Sequence, residues 1–292
     1  MGKTIERKGM GWIPDYPDFR DYHPDNEEIS KLMEPVMRAK TLKPQQSVDL
    51  REWCSPIEDQ GQIGSCTANA GVGMVEYFEN RAFGKFIDAS RLFLYKATRN
   101  LLHLTGDTGA ELRATMGALV LFGVPPEEFW PYSDNPADVD NEPPAFCYAF
   151  AQNYNAIKYY RLDPAGTTPD ALLDSIKNRL STGFPSMFGF TVYSSITQAS
   201  TTGRIPYPTN GDKVEGGHAL MAVGYDNKMK IKNKKKGAAE TVGAFLIRNS
   251  WGSDWGEGGY GWLPYEYVIN GLATDWWTLV KGKWIDTGNF QG

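Results

Sequence analysis

The pattern of apolar and polar positions changes character near the middle of this chain. From Val48 to about residue 122 the apolar residues group into helix-like runs, at 65–83, 89–99 and 110–122. Ser65 opens the first of these as a good N-cap residue. Gly71 and Gly73 lie inside it, and each costs roughly 1 kcal/mol relative to alanine. Small residues there predict a central helix pressed against other backbone. The stretch 125–150 is rich in proline and reads as loop. After a further helix at 169–181, the segments FPSMFGFTVY, HALMAVGYD, AFLIRNSWG and GYGWLPYEYV are short apolar or alternating runs between loops bearing Gly and Pro, the pattern of antiparallel strands. A helical first half and a stranded second half predict an α+β chain of two lobes.

The first 47 residues differ from the rest. GWIPDYPDFRDYHPD carries Pro14, Pro17 and Pro24, which favour an extended arm over a helix. EEISKLMEPVMRA follows, with Ile29, Leu32, Met33 and Val36 at helical spacing and Pro35 limiting its regularity. KMKIKNKKK at 228–236 reads as a solvated loop between two strands, with an anion-binding patch as the weaker alternative.

Composition narrows the function classes. A net charge of -5 gives no general reason to expect nucleic acid or an anionic membrane as partner. No apolar stretch approaches the ~20 residues that span a bilayer. The opening MGKTIERKGMGW lacks the apolar run of a secretory signal and has Glu6 where a myristoylation signal needs Ser or Thr. The compartment is therefore unassigned. The three cysteines, Cys54, Cys66 and Cys147, are too few for a disulfide-built scaffold and contain no Cys-x-x-Cys pair. Unpaired thiols at Cys54 and Cys147 are favoured over a disulfide between them, and no metal or cofactor is expected.

A cysteine nucleophile needs an ionised thiol, a base beside it, a group to orient that base, and donors for the developing oxyanion. DQGQIGSCTANA places Cys66 at the first turn of the central helix, where the helix dipole stabilises a thiolate. Gln60, six positions earlier, is placed to turn its amide toward the same oxygen as the Cys66 N–H. Taken alone, such a cysteine is more often a structural thiol. Of the three histidines, His218 stands in EGGHALMAVGYD, at the mouth of an apolar strand behind two glycines. Asn249 ends the strand of AFLIRNSWG and can fix one tautomer of an imidazole, with Trp251 shielding that bond. Each of these residues also has a purely structural reading.

Gln60, Gly64-Ser65-Cys66, His218, and Asn249-Ser250-Trp251-Gly252 followed by Trp255-Gly256-Glu257 resemble, in identity and order, the motifs of the papain family of cysteine peptidases. Val48-Asp49-Leu50-Arg51 is similar to that family's mature N-terminus, and TGDTGAELRATMGALVLFGV to its substrate-backbone loop and the helix after it. The likeness covers roughly residues 48 to 281, and with the arm it is most like bacterial members.

The resemblance implies a helical left lobe (mainly 60–150) and an antiparallel β-barrel-like right lobe (mainly 155–281), with the site in the cleft between them. It implies a resting Cys66 thiolate and His218 imidazolium, oriented by Asn249, with Gln60 at the oxyanion. It also implies substrate contacts at Gly109, Ala110, Gly189, Gly216, Gly217 and Trp251, the small residues predicting a roomy, mostly apolar pocket for the second residue before the cut. Residues 1–47 then read as a pro-segment-like arm in or over the cleft, 48–281 as the catalytic domain and 282–292 as a tail. The expected activity is that of a monomeric endopeptidase acting on polypeptides through a thioester. The alternatives are a transferase on the same fold and a non-catalytic peptide-binding module. Three departures bear on specificity: Thr67 stands where the family usually has Trp, Ile63 where it has a second Cys, and the lysine-rich segment separates His218 from Asn249.

Overall fold

The computed structural model describes residues 8–38 and 45–284; the remainder of the arm (1–7 and 39–44) and of the tail (285–292) lies outside the described residues. Helix α1 (Glu27–Arg38) follows the extended first part of the arm, and short strand β1 (Ser47–Asp49) opens the body. The helices α2 (Cys66–Phe83), α3 (Arg91–Leu101), α4 (Leu112–Leu121) and α5 (Ala145–Ala151) build one half. Strand β2 (Tyr154–Arg161), helix α6 (Pro169–Ser181), strands β3 (Ser186–Tyr193), β4 (Val214–Lys232), β5 (Glu240–Arg248) and β6 (Tyr260–Pro264), helix α7 (Glu266–Ile269) and strand β7 (Ala273–Trp284) build the other.

All strand pairings are antiparallel, in the order β2-β7-β3-β4-β5-β6, with β1 added to β4. The α+β reading therefore holds, with one correction: the sheet is not closed into a barrel. Its path ends at β2 on one side and β6 on the other, and no pairing among the described residues joins these two.

Helix α2 is the pivot between the halves. It is buried along most of its length because three surfaces converge on it. A Cβ at Gly71 would press on Thr115 (3.1 Å) and Leu94 (3.2 Å), and one at Gly73 on the Arg248 guanidinium (3.1 Å). These two positions keep small residues for the sake of close packing, as expected. Arg248 in turn reaches from β5 to the Ser55 hydroxyl (3.0 Å) and the Pro56 carbonyl (2.7 Å), binding the stranded half to the loop that leads into α2.

Other expectations need adjusting. Ser65 is the N-cap residue of α2, but its side chain makes no capping bond; its hydroxyl hydrogen-bonds the Tyr132 hydroxyl (2.6 Å) and accepts from Asn69 (3.1 Å). The proline-rich loop expected at 125–150 contains α5, whose start is set by Pro144 just before it. Residues 228–232 belong to β4 rather than to a loop, and 230–232 pair with 240–242 of β5. In that extension Lys228, Lys230 and Lys232 face solvent while Ile231 is buried. Cys54, Cys66 and Cys147 are free thiols, the sulfurs of Cys54 and Cys147 resting against the carbonyls of Leu50 and Phe129.

Candidate active site

Cys66 is the first residue of α2 and is wholly buried. Burial pushes its thiol up to about 11. The backbone N–H groups of Ala219, Gly11, Thr67 and Cys66 face the sulfur and pull the other way, but are outweighed. Ala219 is the neighbour of His218 on β4, so the strand brings the imidazole to the start of the helix. Asn249 lies just past the end of β5. Its Oδ1 accepts from the Ser250 backbone N–H (2.8 Å) and lies 2.8 Å from His218 Nε2. An oxygen already acting as acceptor requires Nε2 to carry the proton, which leaves the lone pair on Nδ1. That second nitrogen is buried and takes no hydrogen bond. Burial also lowers the His218 pKa to about 4, against the raising effect of the Asn249 contact. Burial thus favours the neutral form of both groups in this covered arrangement.

Trp251 stacks on the imidazole, with ring centres 4.6 Å apart and planes 23° from parallel. Phe190 meets the imidazole edge-on at 6.0 Å. Trp251 thus lies over the His218 ring, where it keeps water from the Asn249 bond.

Gln60 is also completely buried. Its Oε1 accepts from the Ser250 hydroxyl (2.6 Å), and its backbone N–H donates to the Ser250 carbonyl (2.8 Å). Ser250 therefore fixes both Gln60 and Asn249, a role that sequence reading missed although the residue stood inside a motif it singled out. With Oε1 held, the Gln60 amide N–H groups point to the Ile63 carbonyl (3.0 Å) and to the carbonyl of Gly9 in the arm (3.1 Å).

The arm passes directly through this site. Gly9 donates to the Gly61 carbonyl (3.0 Å), the Ala110 N–H donates to Gly11 (2.7 Å), Trp12 donates to Gly217 (3.1 Å), and Ile13 donates to Ala110 (3.0 Å). Trp12 and Ala110 form a parallel bridge. The approach is as close as backbone allows: a Cβ on Gly9 would lie 2.0 Å from the Ile63 carbonyl oxygen, and one on Gly11 2.0 Å from that of Gly64. The Trp12 indole lies over Gly189 and Gly217, where added Cβ atoms would meet the ring at 1.9 and 3.0 Å. Met10 lies against Gly216 (3.2 Å).

Gly109, Ala110, Gly189, Gly216 and Gly217 are thus brought together along one groove, and in this structure the groove holds the arm. Asp107 supports its rim, accepting from the Gly64 N–H (2.8 Å) and the Tyr95 hydroxyl (2.7 Å); the Tyr95 oxygen in turn accepts from the Gly109 N–H (3.0 Å).

Beyond Ile13 the arm is gripped a second time. Arg113 pairs with Asp15 and Asp21 and donates to the Tyr16 carbonyl (2.7 Å). Arg161 donates to the carbonyls of Asp15 (3.0 Å) and Tyr22 (2.7 Å). Between these contacts a turn projects into solvent, with Phe19 96% exposed. In α1, Ile29 and Met33 face the body while Leu32 stays exposed. Among the described residues no cluster of His, Cys, Asp or Glu could hold a metal ion, and no helix is long and apolar enough to cross a membrane.

Comparison with known proteins places the chain in a family. The family model for papain family cysteine proteases matches residues 44–274. An uncharacterised peptidase C1-like protein of Acanthamoeba polyphaga mimivirus is 33% identical over 291 residues, covering 94% of this chain and 88% of that protein. An aleurain-like thiol protease of Arabidopsis thaliana is 24% identical over 286 residues, covering 93% of this chain and 73% of that protein. Among solved structures, xylellain, a cysteine protease from Xylella fastidiosa, is 36% identical with a TM-score of 0.74, covering 98% of this chain and 99% of that one. The likeness is not confined to bacteria.

Proposed function

The chain belongs to the papain family of cysteine peptidases and is a hydrolase of that class, and on this premise we propose that Cys66, His218, Asn249 and Gln60 form its catalytic set and that residues 8–13 hold that set inactive. One observation carries the reading. A single hydrogen-bonded chain runs from His218 through Asn249 and Ser250 to Gln60, and the arm's backbone meets this set at two points, the Gly9 carbonyl at the Gln60 amide and the Gly11 N–H at the Cys66 sulfur.

With the arm displaced, water re-enters and both pKa shifts relax. His218 Nδ1 then takes the thiol proton, giving thiolate and imidazolium. The thiolate attacks a peptide carbonyl carbon, and the charge moves to the oxygen, held by the Cys66 N–H and the Gln60 amide. In the covered state that amide is spent on the Gly9 carbonyl. The imidazolium protonates the departing amine as the C–N bond breaks, leaving a thioester. The neutral imidazole next takes a proton from water, whose oxygen attacks the thioester and expels the thiolate. Asn249 keeps the ring in the tautomer both steps need.

A fluorogenic peptide assay with reductant tests the assignment, using full-length protein, protein lacking residues 1–44, and Cys66→Ala. The arm-deleted form is expected to hydrolyse the peptide much faster than the full chain, and Cys66→Ala not at all. Equal rates with and without the arm reject inhibition. Undiminished turnover in Cys66→Ala rejects the catalytic set.

A further inference from the structure

The groove is built from stretches of chain that lie far apart in sequence. One, residues 60–65, leads into Cys66 at the start of α2. Another, residues 106–110, carries Ala110, whose N–H donates to the Gly11 carbonyl (2.7 Å) and whose carbonyl accepts from Ile13 (3.0 Å). Ala110 thus offers an extended chain both a donor and an acceptor. Its own stretch has little stiffness: Gly106 and Gly109 have φ of 77° and 80°, in the left-handed region that glycine enters freely. Cys54, Cys66 and Cys147 are free thiols, so no disulfide joins the two stretches.

Asp107 joins them instead. Its Oδ1 accepts from the N–H of Gly64 (2.8 Å), two residues before Cys66, and from the Tyr95 hydroxyl (2.7 Å). The Tyr95 oxygen accepts from the N–H of Gly109 (3.0 Å), one residue before Ala110. Tyr95 is a fixed post for this relay, buried on α3 with the Arg99 guanidinium 4.4 Å from its ring centre. The stretches approach so closely that a Cβ on Gly64 would stand 3.3 Å from Asp107 Oδ1 and 3.3 Å from the Gly109 nitrogen. One carboxylate oxygen thereby ties the position of Ala110 to that of Cys66.

We propose that Asp107 is a positioning residue for peptide hydrolysis, holding Ala110 in register with Cys66 so that a substrate paired with Ala110 presents its carbonyl to the sulfur. The inference rests on the peptidase reading above and deepens it at the same site. Asp107 acts through the backbone of Gly64 and, by way of Tyr95, of Gly109. Attack on a bound carbonyl tolerates little error, since a displacement of about 1 Å costs on the order of 100-fold. A small reagent that reaches the sulfur without pairing with Ala110 is indifferent to that register.

The test uses the full chain carrying Trp12→Ala, which removes the arm's indole from the groove. Two rates at Cys66 are measured on each protein: kcat/KM for a fluorogenic peptide that spans the groove, and alkylation by iodoacetamide. Their ratio cancels whatever open population the arm allows. Adding Asp107→Ala is expected to lower this ratio about 10- to 100-fold. Asp107→Asn keeps an acceptor oxygen for Gly64 and Tyr95 and is expected to restore it to near the parental value. Tyr95→Phe removes only the relay to Gly109 and is expected to lower the ratio about 2- to 10-fold; it decides the matter if Asp107→Ala does not fold. A ratio unchanged in Asp107→Ala, because both rates stay or both fall together, overturns the proposal, as does an unchanged ratio in Tyr95→Phe. Failure of Asp107→Asn to restore the ratio overturns it as well. Absence of Cys66-dependent peptide turnover in the Trp12→Ala parent instead overturns the peptidase reading, and this inference with it.

Discussion

Adding one methyl group at Gly11 tests the whole arrangement. Gly11 does not lie in the left-handed backbone region, so alanine is conformationally acceptable there and only space forbids it. The new Cβ would stand 2.0 Å from the Gly64 carbonyl oxygen, 2.5 Å from its carbon and 2.6 Å from its Cα. These are backbone atoms, carried on the segment that leads into α2, and they cannot move aside as a flexible side chain can. The strain is relieved by lifting the arm. Overpacking of this kind costs typically 1–3 kcal/mol, which multiplies the open population by roughly 5 to 150. Full-length Gly11→Ala is therefore expected to hydrolyse a fluorogenic peptide faster than the parent by about that factor, and to react faster at Cys66 with an epoxide thiol inhibitor. Gly117→Ala is the control: nothing lies within 4 Å of its added Cβ, and activity should not change. If Gly11→Ala folds with parental stability and neither rate rises, the arm does not govern access to Cys66 and the reasoning fails.

Other expectations follow from the same contacts. In the arm-deleted enzyme, Gln60→Ala is expected to lower kcat by about 10²–10³, the loss of one oxyanion donor; a change confined to KM argues against that role. Arg113→Gln removes the charge that pairs with Asp15 and Asp21, and should raise full-chain activity without altering the arm-deleted enzyme. Burial raises the carboxyls of Glu76 and Glu79 on α2 to about 7 and about 8, from an ordinary 4.5. A raised carboxyl binds its proton more tightly when folded, so its stabilising effect is present below pH 4.5 and disappears as pH climbs through 7 to 8, by up to about 1.4 kcal/mol per unit. Glu79→Gln should therefore flatten the fall in Tm between about pH 4.5 and 8, the span between the unfolded and folded values; an unchanged fall contradicts the assignment.

Much of this was legible in the sequence where one residue type had one physical use. Gly and Pro marked the ends of most strands. Gln60, Cys66, His218 and Asn249, each ambiguous alone, became specific through their order. The errors have separate causes. Lys228, Lys230 and Lys232 suggested a loop by their charge, although the alternation with Met229 and Ile231 is the period of a strand with one face inward. The aromatic run AFCYAFA of α5 was hidden by the prolines before it. The contact of the arm with Gln60 and with the Cys66 sulfur comes from a segment far away in the chain, which no local motif records. Asp107 was hidden for a similar reason, since its two partners, Gly64 and Tyr95, come from other segments. The arm did carry one readable sign, the two glycines flanking Met10 in Gly9-Met10-Gly11-Trp12, positions with no side chain to hold the backbone away from its neighbours.

The double grip on the arm has a consequence for dosage. A tethered segment meets its groove at an effective concentration that linkers of this kind set in the millimolar range, so closure is indifferent to how dilute the protein becomes. Severing the chain in the exposed turn that carries Phe19 would leave the contacts of residues 8–13 intact at that instant. The same peptide would then be an ordinary dissociable ligand, lost by simple dilution and restored by adding it back.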